Sequence, residues 1–436
     1  MTNMMREHAI SIFNAAVNAV QPSHLMQQHV RLRDGALTVC GKKFSLPAGR
    51  PVWMFGAGKA AAAMAQALEA LLSAVPVQGL VITKYEHALP LQHISIAEAG
   101  HPLPDENGVR ATAQMVAQLK AVQPGDVVLF LLSGGASALL ADYPGGASLM
   151  QVQQVFELLL KSGADIHEMN IVRKHLSSVK GGQLALLANT TAWCSLILSD
   201  VVGDELSIIG SGPTVGDPST FSDACNILDK YGLTAKLPAA IHEHLQRGCA
   251  GDISETPKPG HPGLKHVNNF LVGSNAIALE AAKQKAISLG YSTAVLTSAA
   301  TGQATSVAAD LVAAARDWKG KRPACILMGG ESTVTVTGHG LGGRNQHLAL
   351  AAGMLLVAQP GITILSAGTD GTDGPTDAAG AVADGELMLS AAAQGLDAGH
   401  YLAQHDAYHF FEKAGGLIKT GPTQTNVMDI MLAIIS

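Results

Sequence analysis

The feature that most constrains this chain is an alternation repeated along its length. Short β-rich apolar runs end in glycine, and each is followed by a longer Ala/Leu-rich segment. "PVWMF" leads into "GAGKAAAAMAQALEALLSAV", and "GLVITK" follows. "DVVLFLL" leads into "SGGASALL", and "SLILSDVV" comes after a helix-like stretch. Strand–helix alternation predicts a doubly wound, mainly parallel α/β sheet, because parallel neighbours need a long crossover. In such sheets the ligand-binding loops lie at the carboxyl ends of the strands. The 47 glycines cluster there.

A chain of 436 residues exceeds one ordinary core, so two domains are expected. Residues 247–269 hold three prolines and four glycines without periodicity, which marks a boundary loop. This gives a Rossmann-like N-terminal domain over 1–250 and a smaller α/β domain over 265–436, with a cleft between them. In the second, "ACILMGGESTVTVTG" is expected to be a strand, a turn and a second strand. The first twenty residues suit an amphipathic helix rather than a signal peptide, since an acid and a histidine interrupt the apolar core.

Composition removes several classes of function. No lysine- or arginine-rich run occurs and the net charge is −6, which argues against nucleic acid as partner. No apolar run approaches the about 20 residues that span a bilayer. The five cysteines are odd in number and lack C-x-x-C spacing, as expected of reduced thiols in a cytoplasmic protein. None of the 17 histidines falls in a zinc spacing, and His339, His347 and His409 are taken as ordinary polar residues.

Six stretches carry chemistry. Residues 55–65, "FGAGKAAAAMA", follow a strand and open a helix. Gly56, Gly58 and Ala61 nearly fit a dinucleotide fingerprint, with Lys59 adding charge, but no acid follows at ribose distance. Residues 133–137, Ser133-Gly134-Gly135-Ala136-Ser137, end a buried strand and offer an anion cradle; Ser137 fails the nucleophile-elbow pattern. Residues 169–185 place Asn170, Arg173 and Ser177 on one helical face with Lys180 a turn further, suited to an anionic substrate or to solvent. Asp200, in "LSD" at a strand end, is a candidate general base, or a helix cap. Glu331 follows a strand, and Arg344 in "GGRNQ" opens a helix where it suits bidentate anion binding. Last, "SAGTDGTDGPTDAAGA" (366–381) gathers Asp370, Asp373 and Asp377 on one loop. Like charges this close are tolerable if a dication sits among them; Asp377 suits a turn or cap equally well.

Taken together, "GAGKAAAAMA", "LSGGASALL", "NIVRKHLSSVKGGQLA", "LSDVVGDELSIIGSGPT", "GGESTVTVTGHGLGGRNQ" and "SAGTDGTDGPTDAAGA" resemble the class II glycerate kinases, which carry a C-terminal MOFRL domain. The resemblance spans nearly the whole chain in order. It implies phosphorylation of D-glycerate at its 2-hydroxyl by ATP with Mg²⁺, and an active site between two domains. It puts the family's important lysine, arginine and aspartate on Lys59, Arg344 and Asp200. On that basis Gly56, Gly58, Glu331, Asp370 and Asp373 face the nucleotide, and Asp370 and Asp373 face the metal through water. Residues 133–137, Asn170, Arg173 and Lys180 hold substrate or phosphate. Gln303 and His347 stand where the family usually has glutamate, and Gln424 where it usually has glycine. Some members of the family carry the name hydroxypyruvate reductase, so a nicotinamide-dependent reductase is the rival reading and a non-catalytic sugar-acid-binding protein a third. A homodimer is left open.

Overall fold

A computed structural model describes residues 2–357 and 359–436. The chain divides into two compact units. The first comprises Leu25–Leu198 and Asp204–Val272. It opens with a three-stranded antiparallel sheet, β1 (Val30–Arg33), β2 (Ala36–Val39) and β3 (Lys42–Ser45). Its core is a six-stranded sheet of β4 (Val52–Ala57), β5 (Val77–Lys84), β6 (Ser95–Ala99), β7 (Val127–Leu132), β8 (Ala192–Leu198) and β9 (Val267–Gly273), in the order β6-β5-β4-β7-β8-β9. The pairs β4–β5, β4–β7, β5–β6 and β7–β8 are all parallel. Every residue of β7 is buried, so "VVLFLL" has no polar face to offer and reads as one apolar run. Winding from β4 through β5 to β6 proceeds one way, and from β7 to β8 the other. The switch point therefore lies at the carboxyl ends of β4 and β7, where the lysine loop and the serine–glycine loop emerge.

The second unit comprises residues 2–24, Ser199–Gly203 and Gly273–Ser436. Its sheet holds β10 (Ser292–Ala300), β11 (Ala324–Gly330), β12 (Ile362–Gly368), β13 (Gly380–Asp384), β14 (Leu417–Ile418) and β15 (Asp429–Ile435), in the order β10-β11-β15-β12-β13-β14. Only β10–β11 is parallel; β15, buried throughout, runs antiparallel to both β11 and β12. The second strand expected after Gly330 does not form. The flank of β11 is already taken by β10 and β15, and residues 331–343 make only an isolated bridge from Thr333 to Gln303.

The division at 1–250 and 265–436 needs correction at two places. The first helix, Thr2–Ala19, belongs with the second unit: Arg6 Nη2 donates to Asp384 Oδ1 at 2.6 Å, and His8 Nδ1 lies 2.8 Å from the Tyr291 hydroxyl. The irregular stretch around 250–266 lies inside the first unit. It is tied there by Asp217, whose N–H donates to the Pro257 carbonyl and whose Oδ2 accepts from the Thr256 hydroxyl. Among the described residues no helix is long and apolar enough to cross a membrane.

Candidate active site

In the first unit the chain leaves β4 at Ala57 and turns through Gly58, at φ +134°, before the helix Ala61–Leu71. A Cβ on Gly58 would lie 2.1 Å from Ser133 Oγ, so only glycine lets the two loops meet. They are then stitched together: Ser133 N donates to Ala57 O at 3.1 Å, Lys59 N to Gly134 O at 2.9 Å, and Ala60 N to Ser133 Oγ at 3.0 Å. A Cβ on Gly56 would lie 2.8 Å from Leu131 O. Both glycines of the near-fingerprint therefore serve strand and loop packing.

Lys59 and His101 flank Gly135, where a Cβ would meet the Lys59 stem at 3.5 Å and the His101 ring at 2.8 Å. Among the described residues no carboxylate lies within ion-pair distance of Lys59. Burial, then the charges of Lys59 and Lys84, pull the His101 imidazole down to about 4, so it is neutral near pH 7. The sequence reading missed His101. The available signal was its place between glycine and proline, two residues beyond a parallel strand's end.

The helix Ile166–His175, capped by Asp165 and Glu168, stops before Ser177, so Asn170, Arg173 and Ser177 do not share one helical face as expected. Asn170 Oδ1 accepts from Arg173 Nη1 at 3.1 Å and from the Ser211 hydroxyl at 2.8 Å, and Ser211 in turn bonds Ser137 at 2.7 Å. Arg173 lies over the Phe156 ring at 4.8 Å and has no carboxylate partner among the described residues; burial draws it down to about 10. Lys180 differs. Its ammonium donates to Leu140 O at 2.5 Å and pairs with Asp142 at 3.4 Å, and burial lowers its pKa. His101, Gly135, Ser137, Phe156, Arg173 and Lys180 line one cavity of about 740 Å³ with otherwise mainly apolar walls.

In the second unit Arg344 is the first residue of the helix Arg344–Leu356. Its Nε and Nη2 donate to Asp429 at 2.6 and 3.0 Å, and its Nη1 lies 2.8 Å from Glu331 Oε1. Burial works to lower its pKa, but the hydrogen bonds and charge of Asp429, then Glu331, outweigh it and hold the cation. Asp429 was not singled out in the sequence because it opens an otherwise apolar strand. Asp373 is 3% exposed and receives the Asn345 N–H on Oδ1 at 3.0 Å and the Gln346 N–H on Oδ2 at 2.8 Å. It thus caps the helix that Arg344 begins, and burial lifts it to about 6. Both oxygens are thus engaged by the start of this helix, where the sequence had suggested a residue facing a metal. Asp370 is half-buried and accepts the Thr372 N–H on Oδ1 at 3.1 Å. Asp377 pairs with Lys419 at 2.9 Å and accepts from the Tyr408 hydroxyl, rather than capping a helix. Among the described residues no group of three or more His, Cys, Asp or Glu is placed to hold a metal ion.

Asp200 belongs to this unit and accepts from Asn426 Nδ2 at 3.4 Å. Its neighbour Val202 lines a cavity of about 560 Å³ with Glu331, Arg344, His347 and Asp373. His347, taken as an ordinary polar residue, stacks on His405 at 5.1 Å; burial and then His405 pull it down to about 4.

A parallel sheet with unpaired cations at its switch point, and an arginine gripped by carboxylates beside glycine loops, define an α/β enzyme for anionic small molecules. The chain matches the models of the domain of unknown function DUF4147 over residues 8–246 and of the MOFRL family over residues 324–429. It is 39% identical to the glycerate 2-kinase of Pyrococcus horikoshii, over 99% of this chain and 98% of that one. It is 40% identical to the D-glycerate 2-kinase of Thermotoga maritima, over 88% and 90%. A relative from Agrobacterium vitis, 40% identical over 97% and 93%, instead carries a hydroxypyruvate reductase name. The crystal structure of the Thermotoga maritima glycerate kinase superposes with a TM-score of 0.87 at 36% identity, covering all of both chains. The chain belongs to the glycerate kinase family with a DUF4147 domain and a C-terminal MOFRL domain.

Proposed function

We propose that this protein phosphorylates D-glycerate at its 2-hydroxyl, with ATP as donor and Mg²⁺ as the accompanying ion. The observation that carries the reading is end-to-end similarity to proteins named glycerate 2-kinase, with Lys59, Asp200 and Arg344 all present.

Phosphoryl transfer needs little covalent chemistry from a protein. It needs positive charge around the equatorial oxygens and a group that takes the hydroxyl proton. Lys59 and Arg173, two cations of the first unit that lie beside the serine–glycine loop or line the cavity next to it and have no carboxylate partner among the described residues, fit a ligand bearing phosphate or carboxylate. Arg344 is oriented by its two-point grip on Asp429 and, with five N–H groups of which three are engaged, retains donors for an anion. Asp200 is the candidate base for the 2-hydroxyl. Asp370, rather than Asp373, fits Mg²⁺, which usually keeps several waters and needs only one or two carboxylates. When bound, Mg²⁺ would neutralise phosphate charge.

The test is incubation with D-glycerate, ATP and Mg²⁺, with the product identified by phosphorus NMR, beside an NADH absorbance assay with hydroxypyruvate. A 2-phosphoglycerate signal that disappears in Lys59→Ala and Asp200→Asn supports the assignment. NADH consumption with no phosphorylated product overturns it.

A further inference from the structure

The sequence read the five cysteines as reduced thiols with no C-x-x-C spacing, and the fold brings two of them together. Cys225 lies in the helix Phe221–Lys230, and Cys249 ends the helix Ala239–Cys249. Their sulfurs are 3.0 Å apart, and both are free thiols. A disulfide is about 2.05 Å long, so closing the bond asks for about 1 Å of movement.

The approach of the two helices has a definite cause one residue away. A Cβ on Gly248 would lie 2.2 Å from Phe221 Cδ1, so the Phe221 ring occupies the space any other residue would fill. Cys225 sits one turn after Phe221, and Cys249 directly follows Gly248, so the thiol pair is the next contact along the same seam. Phe221 is itself fixed. It is 3% exposed, its ring packs edge-on against His175 and His244, and its N–H donates to Glu255 Oε1 at 2.9 Å. The other thiols differ. Cys194 and Cys325 are buried in strands, and Cys40 is half-buried. Cys225 and Cys249 also open onto a cavity of about 560 Å³ shared with Asp229, His242, Gln246 and Arg247, which gives a small oxidant a route in.

We infer that Cys225 and Cys249 form a peroxide-reactive dithiol that closes reversibly to a disulfide bridging these two helices. Cys249 is the exposed partner and attacks as the thiolate. Its sulfur displaces hydroxide from the peroxide O–O bond, giving a sulfenic acid, and the hydroxide leaves as water after taking the thiol proton. The Cys225 sulfur then attacks the sulfenyl sulfur, the S–O bond breaks, and a second water departs with the Cys225 proton. In sum, two thiols and one peroxide become one disulfide and two waters. Burial and then the bond to Cys249 push the Cys225 thiol up to about 12, which suits the resolving rather than the attacking role.

The experiment is equimolar hydrogen peroxide on the full chain, followed by alkylation under native conditions and peptide mapping. The expected product is a cross-link between the Cys225 and Cys249 peptides, lighter by two hydrogens and reopened by dithiothreitol. Cys40, Cys194 and Cys325 should alkylate fully after unfolding. In Cys225→Ser the reaction should stop at a Cys249 sulfenic acid trapped by dimedone, a readout that holds even if the variant is less stable. Cys249 passing to sulfinic acid in the native chain without a cross-link, or disulfides only between chains, overturns the proposal.

Discussion

Asp429 grips the Arg344 guanidinium from two sides, Oδ2 to Nε at 2.6 Å and Oδ1 to Nη2 at 3.0 Å, with the carboxylate 1% exposed. The pair joins the first residue of a buried strand to the first residue of a helix, 85 positions apart in sequence. Asp429 is a positioning residue. Asp429→Asn should lower kcat for glycerate phosphorylation by about 100-fold, the order expected from small misplacement of a catalytic group. Arg344→Lys should do the same, because an ammonium cannot make the two-point contact. Steady-state kinetics beside circular dichroism checks both. An unchanged kcat in Asp429→Asn would show that the guanidinium orientation is immaterial.

Asp373 makes a prediction with a definite sign. Its native carboxyl titrates at about 6, whereas in the unfolded chain it titrates at about pH 4. Between those values the native state holds the extra proton, so this group's contribution to stability is present below about pH 4 and lost as pH rises to about 6. Urea midpoints for the native chain and for Asp373→Asn should therefore draw apart from pH 4 to 6 and run parallel above it. A constant difference would place the native titration at its ordinary value.

Lys180 and Arg173 line the same cavity but should respond oppositely. Lys180→Met strips Asp142 of its cationic partner in a nearly buried pair, leaving it the hydrogen bonds of Ser177 and Ser178, and should cost about 3 kcal/mol of stability by urea titration. Arg173→Met removes a desolvated cation that no carboxylate offsets. It should leave the urea midpoint unchanged or higher while raising the KM of an anionic ligand about tenfold, roughly one lost charged hydrogen bond. Equal losses of stability in both variants would mean that Arg173 has a structural partner of comparable weight.

Gln424 is one of the few residues other than glycine whose backbone has a positive φ, at +63°. That left-handed conformation costs a residue with a Cβ about 1 kcal/mol, so Gln424→Gly should raise stability by up to about that amount despite glycine's greater unfolded freedom. Thermal melting checks it. A fall in Tm would show that the Gln424 side chain contributes more than its backbone loses.

What could be read in advance follows from what is local. "VVLFLLSGGAS" discloses a buried strand running into a loop, and Lys59 and Arg344 declare themselves by standing at helix starts beside glycine. The partners that give those residues their character are far along the chain. Asp429 is hidden in an apolar strand, and Cys249 is 24 residues from Cys225 with no spacing motif between them. Asp373 looked like a metal ligand because the loop shows three carboxylates. Only the backbone N–H groups of Asn345 and Gln346, brought to it by folding, reveal it as a cap. The mixed sheet of the second unit was equally illegible, since the insertion of β15 between β11 and β12 is decided by pairing rather than by pattern.

The helix Thr2–Ala19 packs with elements that begin only at Gly273, and Val20 O receives the Thr425 hydroxyl at 2.7 Å. On the ribosome, at roughly 5–20 residues per second, this helix must wait on the order of tens of seconds for its partners to emerge. Throughout that interval the apolar side chains of Ile12, Phe13 and Val20, buried in the finished protein, have nothing of their own to lie against. The nascent chain thus exposes an apolar helix face while its first sheet is already assembling, and a holding chaperone has a natural place to bind.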